Sequence, residues 1–208
     1  IAYLDPLMKV GKQVTGGDRG KEAEISKKEI FKRFHLDEKI EKYYPFQLSG
    51  GMARRVLVST AVISDASLII ADEPTPGLDL EMALEALKVF RELADEGKAV
   101  VLITHDIDLA FHIADRIAVF YAGTTVEMTR AEDFLEGVGK LRHPYSKALW
   151  QALPQNGFRP IPGFQPYARY LPKGCLFSPR CPHKTKECEN DIPMSEIRGG
   201  YVRCIHAT

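Results

Sequence analysis

The chain has 208 residues, with 28 Lys+Arg against 28 Asp+Glu, so its formal net charge is zero. That length suits one sizeable domain or a domain with an appendage, and the charge balance carries no nucleic-acid footprint. Apolar runs such as SLIIA and AVVLIT fall far short of the roughly 18 residues a membrane span needs. No secretory leader is visible. A start at IAYLDPLM without an initiator Met reads as a fragment, or as numbering from a first ordered residue.

In chain order, VTGGDRGKE reads as a polar loop. Ser26-Lys27-Lys28-Glu29 has the form of a capping box ahead of Ile30, Phe31 and Phe34, which predicts a helix starting there. A short helix is expected over Asp37–Tyr43, ended by Pro45. After LSGG a helix should run from about Met52 to Ile63. SLIIA (67–71) reads as a buried strand. Glu81–Glu96 is a patterned helix closed by Gly97, and AVVLIT (99–104) is a second buried strand. Asp106–Ala114 is helical, and RIAVFYAGTTVEMT reads as a hairpin turning at Ala122–Thr124. Thr129-Arg130-Ala131-Glu132 forms another capping box before a short helix. Continuous apolar strands alternating with helices predict a mainly parallel α/β core, with a lateral helical subdomain in the first sixty residues.

Composition then shifts. Eight of the 13 prolines follow residue 153, and all four cysteines, Cys175, Cys181, Cys188 and Cys204, lie in the last 34 positions. The thiols are separated by five, six and fifteen residues. Disulfides are disfavoured in a reducing cytosol, and the tight C-x₂₋₄-C pairs of structural zinc sites are absent. Four thiolates from a proline-braced loop suit an iron–sulfur cluster, with zinc or free thiols as the alternatives. A tail of about 50 residues without a regular core needs such a staple.

The chemistry concentrates in three places. In YPFQLSGGMARRV, Ser49, Gly50 and Gly51 open a helix and present a hydroxyl and backbone N–H groups in one direction, which suits an anion. The bland alternative is Ser49 as an ordinary N-cap. Arg54 and Arg55 read as packing or solvated residues. In SLIIADEPTPGLD, a strand delivers Asp72 and Glu73 at its carboxyl end, where ligands of parallel sheets bind. One carboxylate can hold Mg²⁺ and the next can polarise a water for attack on phosphate, although two such acids also occur in solvated turns. The next strand ends in ITHD, which brings His105 to the same edge.

These stretches together resemble the nucleotide-binding subunit of an ABC transporter. LSGGM (48–52) is similar to the family's signature, LIIADE (68–73) to its Walker B strand, PGLD (76–79) to its D-loop and His105 to its switch histidine. The resemblance implies an α/β fold: the second half of a RecA-like P-loop NTPase core, an ABC helical subdomain and an irregular Cys-rich C-terminal extension. The corresponding divisions are residues 1–65, 66–153 and 154–208. It implies ATP and Mg²⁺, with Glu73 as general base, Asp72 as the Mg²⁺ partner and His105 at the γ-phosphate. Asp79 would lie across a dimer interface, and Ser49, Gly50 and Gly51 would face a nucleotide held by the opposite subunit. Pro76-Gly77 departs from the usual small residues of the D-loop and bears on cross-site coupling.

The segment AYLDPLMKVGKQV (2–14), the triplet His143-Pro144-Tyr145 and the cysteine tail narrow the resemblance to the oligopeptide, dipeptide and nickel importer branch. That branch implies a [4Fe–4S] cluster on the four cysteines, with Zn²⁺ the alternative. It also implies a second ATPase subunit (paralogue or self), membrane-spanning permease subunits and, indirectly, an extracellular substrate-binding protein, at the cytoplasmic face of the membrane and with no nucleic acid. Other readings are a soluble non-transport ABC ATPase, or an inactive metal-cluster module for this fragment alone. No G-x-x-x-x-G-K-[ST] occurs. TGGDRGKE has Thr15 where the first Gly belongs and Glu22 where the hydroxyl belongs, and it follows no strand. The chain alone is therefore expected not to hydrolyse ATP, whereas its parent protein should.

Overall fold

A computed structural model describes residues 4–208 apart from 18–19, 64–65 and 76–79; the side chains of 21–24 and Met82 are also left undescribed. The chain forms two compact units, residues 1–113 and 114–208.

The first unit opens with helices α1 (Val10–Val14), α2 (Lys21–Arg33) and α3 (Gly50–Val62). Apolar residues at helical spacing meet in one core, where Val10, Val14, Phe31, Phe34 and Val56 are each no more than 3% exposed. Burying a side chain such as Phe31 contributes roughly 1.5–3 kcal/mol. Helix α2 begins five residues before the expected Ser26, with Gly20 as its N-cap. The good helix formers Lys21–Ile25 extend the helix upstream, since adding a turn is easier than nucleating one. Asp37 caps the short 3₁₀ segment Glu38–Lys42 by accepting from Lys39 N–H. Ser49 is the N-cap of α3, its Oγ accepting from Met52 N–H at 3.2 Å.

Strands β1 (Leu68–Asp72) and β2 (Ala99–Ile103) pair in parallel, in register from Leu68↔Ala99 to Asp72↔Ile103. Between them runs α4 (Leu80–Asp95), which buries Leu87, Phe90 and Leu93. Gly97 then turns the chain at φ 93°, a conformation that favours glycine. Helix α5 (Ile107–Ile113) ends the unit. Burial alternates along the continuous apolar runs of β1 and β2, so neither is the wholly buried strand expected: Ile69 and Ala71 are buried while Leu68, Ile70, Val101 and Ile103 on the opposite face stay exposed.

The second unit is built on a four-stranded antiparallel sheet of β3 (Arg116–Tyr121), β4 (Thr124–Arg130), β5 (Ser195–Ile197) and β6 (Gly200–Val202), in the order β3-β4-β6-β5. The hairpin of β3 and β4 turns at Ala122 and Gly123 as expected, both with positive φ. The tail is less irregular than expected. Its strands β5 and β6 turn at Arg198-Gly199, and β6 pairs with β4. Helices α6 (Ala131–Leu135) and α7 (Pro144–Ala152) complete the unit. The capping box expected at Thr129 is not formed. Thr129 belongs to β4, its hydroxyl donates to Asp133, and Arg130 is the N-cap.

Buried Arg142 joins the two hairpins. It donates to Glu127 at 3.3 Å, to Asp133 at 2.9 Å, and to the carbonyls of Ile197 and Arg198 at 2.5 and 2.6 Å. Glu127, fully buried, also accepts from the backbone N–H groups of Arg142 and His143 at 2.9 and 2.8 Å. Gly200 is required here, because a Cβ would stand 2.7 Å from Arg142 Cζ.

Candidate functional site

The parallel register places the carboxyl ends of β1 and β2 side by side. Asp72 is the last residue of β1 and is exposed. Glu73 N–H donates to Ile103 O at 2.8 Å, which extends the ladder by one residue. The backbone of Glu73 then enters the left-handed region at φ 46°, where a non-glycine residue costs about 1 kcal/mol or more. That turn aims its carboxylate at the segment after β2. Glu73 Oε1 lies 2.6 Å from His105 Nδ1 and accepts from His105 backbone N–H at 3.2 Å. The hydrogen bond to Glu73, then its negative charge, raises the His105 imidazole above its ordinary pKa, although the ring itself is largely exposed. Glu73 Oε2 is buried and has no hydrogen-bond partner among the described residues.

The carboxylate and the imidazole expected to converge therefore do so. Segment 104–106 holds its shape through Asp106 N–H donating to Thr104 Oγ1 at 3.0 Å, and Leu109 N–H donating to Asp106 Oδ1 at 3.1 Å. Ser49 and Gly50 are exposed at the start of α3, and a Cβ on Gly50 would meet nothing within 4 Å. No hydrogen bond joins Ser49–Gly51 to Glu73 or His105 among the described residues. Asp79 and Pro76-Gly77 lie outside the described residues.

The sequence reading missed a link between these regions. Arg54, one turn into α3, donates from Nε to Pro74 O at 2.5 Å, directly after Glu73. Arg55 instead caps the end of α2, donating from one guanidinium nitrogen to the carbonyls of Phe34 and His35, both at 3.2 Å. Their adjacency to the Ser-Gly-Gly turn was the available signal.

The four cysteines are unpaired: Cys175 and Cys188 are buried, Cys181 and Cys204 half-buried. Burial raises the thiols of Cys175 and Cys181, and raises that of Cys204 to about 11. Cys204 also accepts a hydrogen bond from the backbone N–H of His206 at 3.3 Å. Among the described residues, no three His, Cys, Asp or Glu groups converge closely enough to hold one metal ion.

Two family profiles match the chain: ABC transporter over residues 2–76, and Oligopeptide/dipeptide transporter, C-terminal region, over residues 126–188. The oligopeptide transport ATP-binding protein OppD of Salmonella typhimurium is 36% identical, the match covering 98% of this chain and 64% of that protein. The Escherichia coli OppD is 34% identical with the same coverage, and the dipeptide transport ATP-binding protein DppD of Bacillus subtilis is 34% identical over 95% of this chain and 64% of its own. The chain thus spans 64% of the length of these relatives. Among solved structures, the dimeric post-hydrolysis state of the ATP-binding cassette MJ0796 with ADP and Pi is similar at TM-score 0.56 and 28% identity, covering 62% of this chain and 59% of that one.

The fold is accordingly that of an ATP-binding cassette, of the P-loop NTPase type. The chain belongs to the ABC transporter ATP-binding family, in the branch that carries the oligopeptide/dipeptide transporter C-terminal region.

Proposed function

We propose that this chain is part of an ATP-hydrolysing subunit that energises an ABC importer, with peptides as cargo and nickel or metal chelates as the less supported choice. The observation that carries the reading is the 2.6 Å contact between Glu73 and His105 at the carboxyl edge of the parallel strands. The names of the relatives supply the transport context. In the complete protein ATP is sandwiched at a dimer interface with a second such subunit, which docks on permease subunits at the cytoplasmic face of the membrane. Residues 1–65 act as the signature subdomain, 66–153 as the second half of the core and 154–208 as the Cys/Pro-rich part. No described helix is long and apolar enough to cross a membrane.

In this mechanism Glu73 orients the attacking water. Its Oε1 is fixed by His105, and its second oxygen, buried and unpartnered among the described residues, is the acceptor left for that water. The imidazole, engaged through Nδ1, presents Nε2 outward. Its raised pKa favours the doubly protonated form, which can donate from Nε2 to a γ-phosphate oxygen while Nδ1 holds the base. Exposed Asp72 is the residue available to Mg²⁺, which when bound neutralises developing phosphate charge. Ser49, Gly50, Gly51 and Asp79 serve the site across the interface; the open space at Gly50 leaves its N–H accessible to an incoming phosphate. Replacing Glu73 by Gln in the complete protein should leave ATP binding intact and stop phosphate release. Unchanged turnover would remove Glu73 from this role.

We further propose that Cys175, Cys181, Cys188 and Cys204 hold a [4Fe–4S] cluster with a structural role. All four thiols belong to one unit, and the His206 N–H donated to Cys204 Sγ is the kind of interaction that tunes such ligands. Protein purified without oxygen should contain iron and sulfide. Colourless protein with stoichiometric zinc would reject the cluster.

A further inference from the structure

The first unit contains a cavity of about 190 Å³ lined by α3, α4 and the end of α2, with Gly51 of the Ser-Gly-Gly turn among its lining residues. This is smaller than the roughly 300–1,000 Å³ of drug-sized sites, so its occupant would be small. Four full cations, Arg33, Arg54, Arg55 and Lys88, face two carboxylates, Glu85 and Glu92. Arg33 is spoken for, pairing with Glu92 at 3.2 Å and with Glu96 at 3.0 Å. That leaves Arg54, Arg55 and Lys88 against Glu85, a local excess of positive charge in a neutral chain. The cavity's apolar lining includes Phe34, Val58 and Val89.

Both arginines are held in place by contacts that do not use up their donors. Arg54 is tied through Nε to the carbonyl of Pro74 at 2.5 Å, and Arg55 through one terminal nitrogen to the carbonyls of Phe34 and His35 at 3.2 Å. Arg55 Nε, by contrast, is buried and has no partner among the described residues. A buried N–H of a charged group without an acceptor is costly, and an oxyanion is the acceptor that its charge and planar fork favour. Lys88 has no hydrogen bond or ion pair among the described residues either, and it is exposed at the rim. Pinned guanidinium groups lose little freedom when a ligand arrives.

We propose that this cavity is an accessory binding site for a small amphipathic oxyanion, a carboxylate or phosphate carrying a short apolar body. The oxygen atoms would meet Arg54, Arg55 and Lys88, and the hydrocarbon part would lie against Phe34, Val58 and Val89. The site is independent of the assignment of Glu73 and His105, and the 208-residue chain contains every residue it needs.

The test is isothermal titration calorimetry of the chain at constant ionic strength, without ATP, using phenyl phosphate and hexanoate, with inorganic phosphate and acetate as the apolar-free comparison. Saturable one-to-one binding of phenyl phosphate or hexanoate, tighter than the matching small ion, is expected. Lys88→Gln should weaken it about tenfold, the size of one lost charge-assisted hydrogen bond. Glu85→Gln should tighten it, a gain of binding that a merely unfolded variant cannot produce. Both residues are exposed, so neither change removes core packing. Absence of saturable binding by either organic anion, or binding indifferent to both substitutions, would overturn the proposal.

Discussion

Lowering the pH should destabilise the second unit through one residue, His143. Its side chain is fully buried, and Nδ1 accepts from Tyr145 N–H at 2.9 Å to cap α7. Nε2 therefore carries the neutral ring's proton and is buried, with no partner among the described residues. Burial lowers the pKa from 6.5 to about 4. Between those values the unfolded chain takes up a proton that the folded chain refuses, so stability falls as pH falls. At 1.36 kcal/mol per pH unit, the loss is about 2 kcal/mol by pH 5 and about 3 kcal/mol by pH 4. Urea unfolding followed by tryptophan fluorescence suits the measurement, since Trp150 lies on the same helix and donates to Phe134 O at 2.8 Å. His143→Asn is the control, because Asn is a favoured N-cap acceptor and does not titrate. The variant should lose some packing at every pH, but it should lack the wild-type slope between pH 6.5 and 5, where most carboxylates remain ionised. Parallel stability curves for the two proteins from pH 7 to 4.5 would refute the reasoning.

Three further outcomes are expected. In an NMR titration His105 should show a pKa above 6.5, and Glu73→Gln should bring it back towards that value; the stabilisation from the pair is fully present below 6.5 and disappears as pH rises through the raised pKa. Arg142→Leu should destabilise the second unit by about 3–5 kcal/mol in denaturant unfolding, because it strands the buried Glu127 carboxylate; removing Glu127 as well, by Glu127→Gln, should restore part of the loss. Gly174→Ala should prevent soluble folding of the cysteine-bearing tail, as its Cβ would fall 2.2 Å from the carbonyl oxygen of Cys188 at a φ of +67°. Near-wild-type stability of that variant would contradict the backbone described here.

The parts legible in the sequence were those set by local pattern. The apolar runs over Leu68–Asp72 and Ala99–Ile103 are strands, and adjacent parallel strands place their carboxyl ends together, so Asp72, Glu73 and His105 were predictable as neighbours. Gly123 marked the hairpin turn and takes φ 86°, whereas Ala122 beside it enters the left-handed region at φ 48° despite its Cβ. What escaped was set by tertiary partners. Glu127 carries no local sign of burial, yet it is buried because Arg142, fifteen residues on, supplies a charge and a backbone N–H, and His143 supplies a second N–H. Thr129 could have capped a helix, but the strand pairing Ile117↔Thr129 claimed it. Arg54 and Arg55 read only as packing or solvated residues because nothing local reveals the carbonyls of Pro74, Phe34 and His35 that receive them.

Glu73 occupies a backbone conformation that glycine would adopt without strain. A Glu73→Gly change could therefore relax the edge of the sheet even as it erased the carboxylate, so a screen for thermal tolerance alone would drift toward inert proteins at this position. The left-handed geometry that turns the side chain toward His105 is a place where durability and chemistry pull in opposite directions.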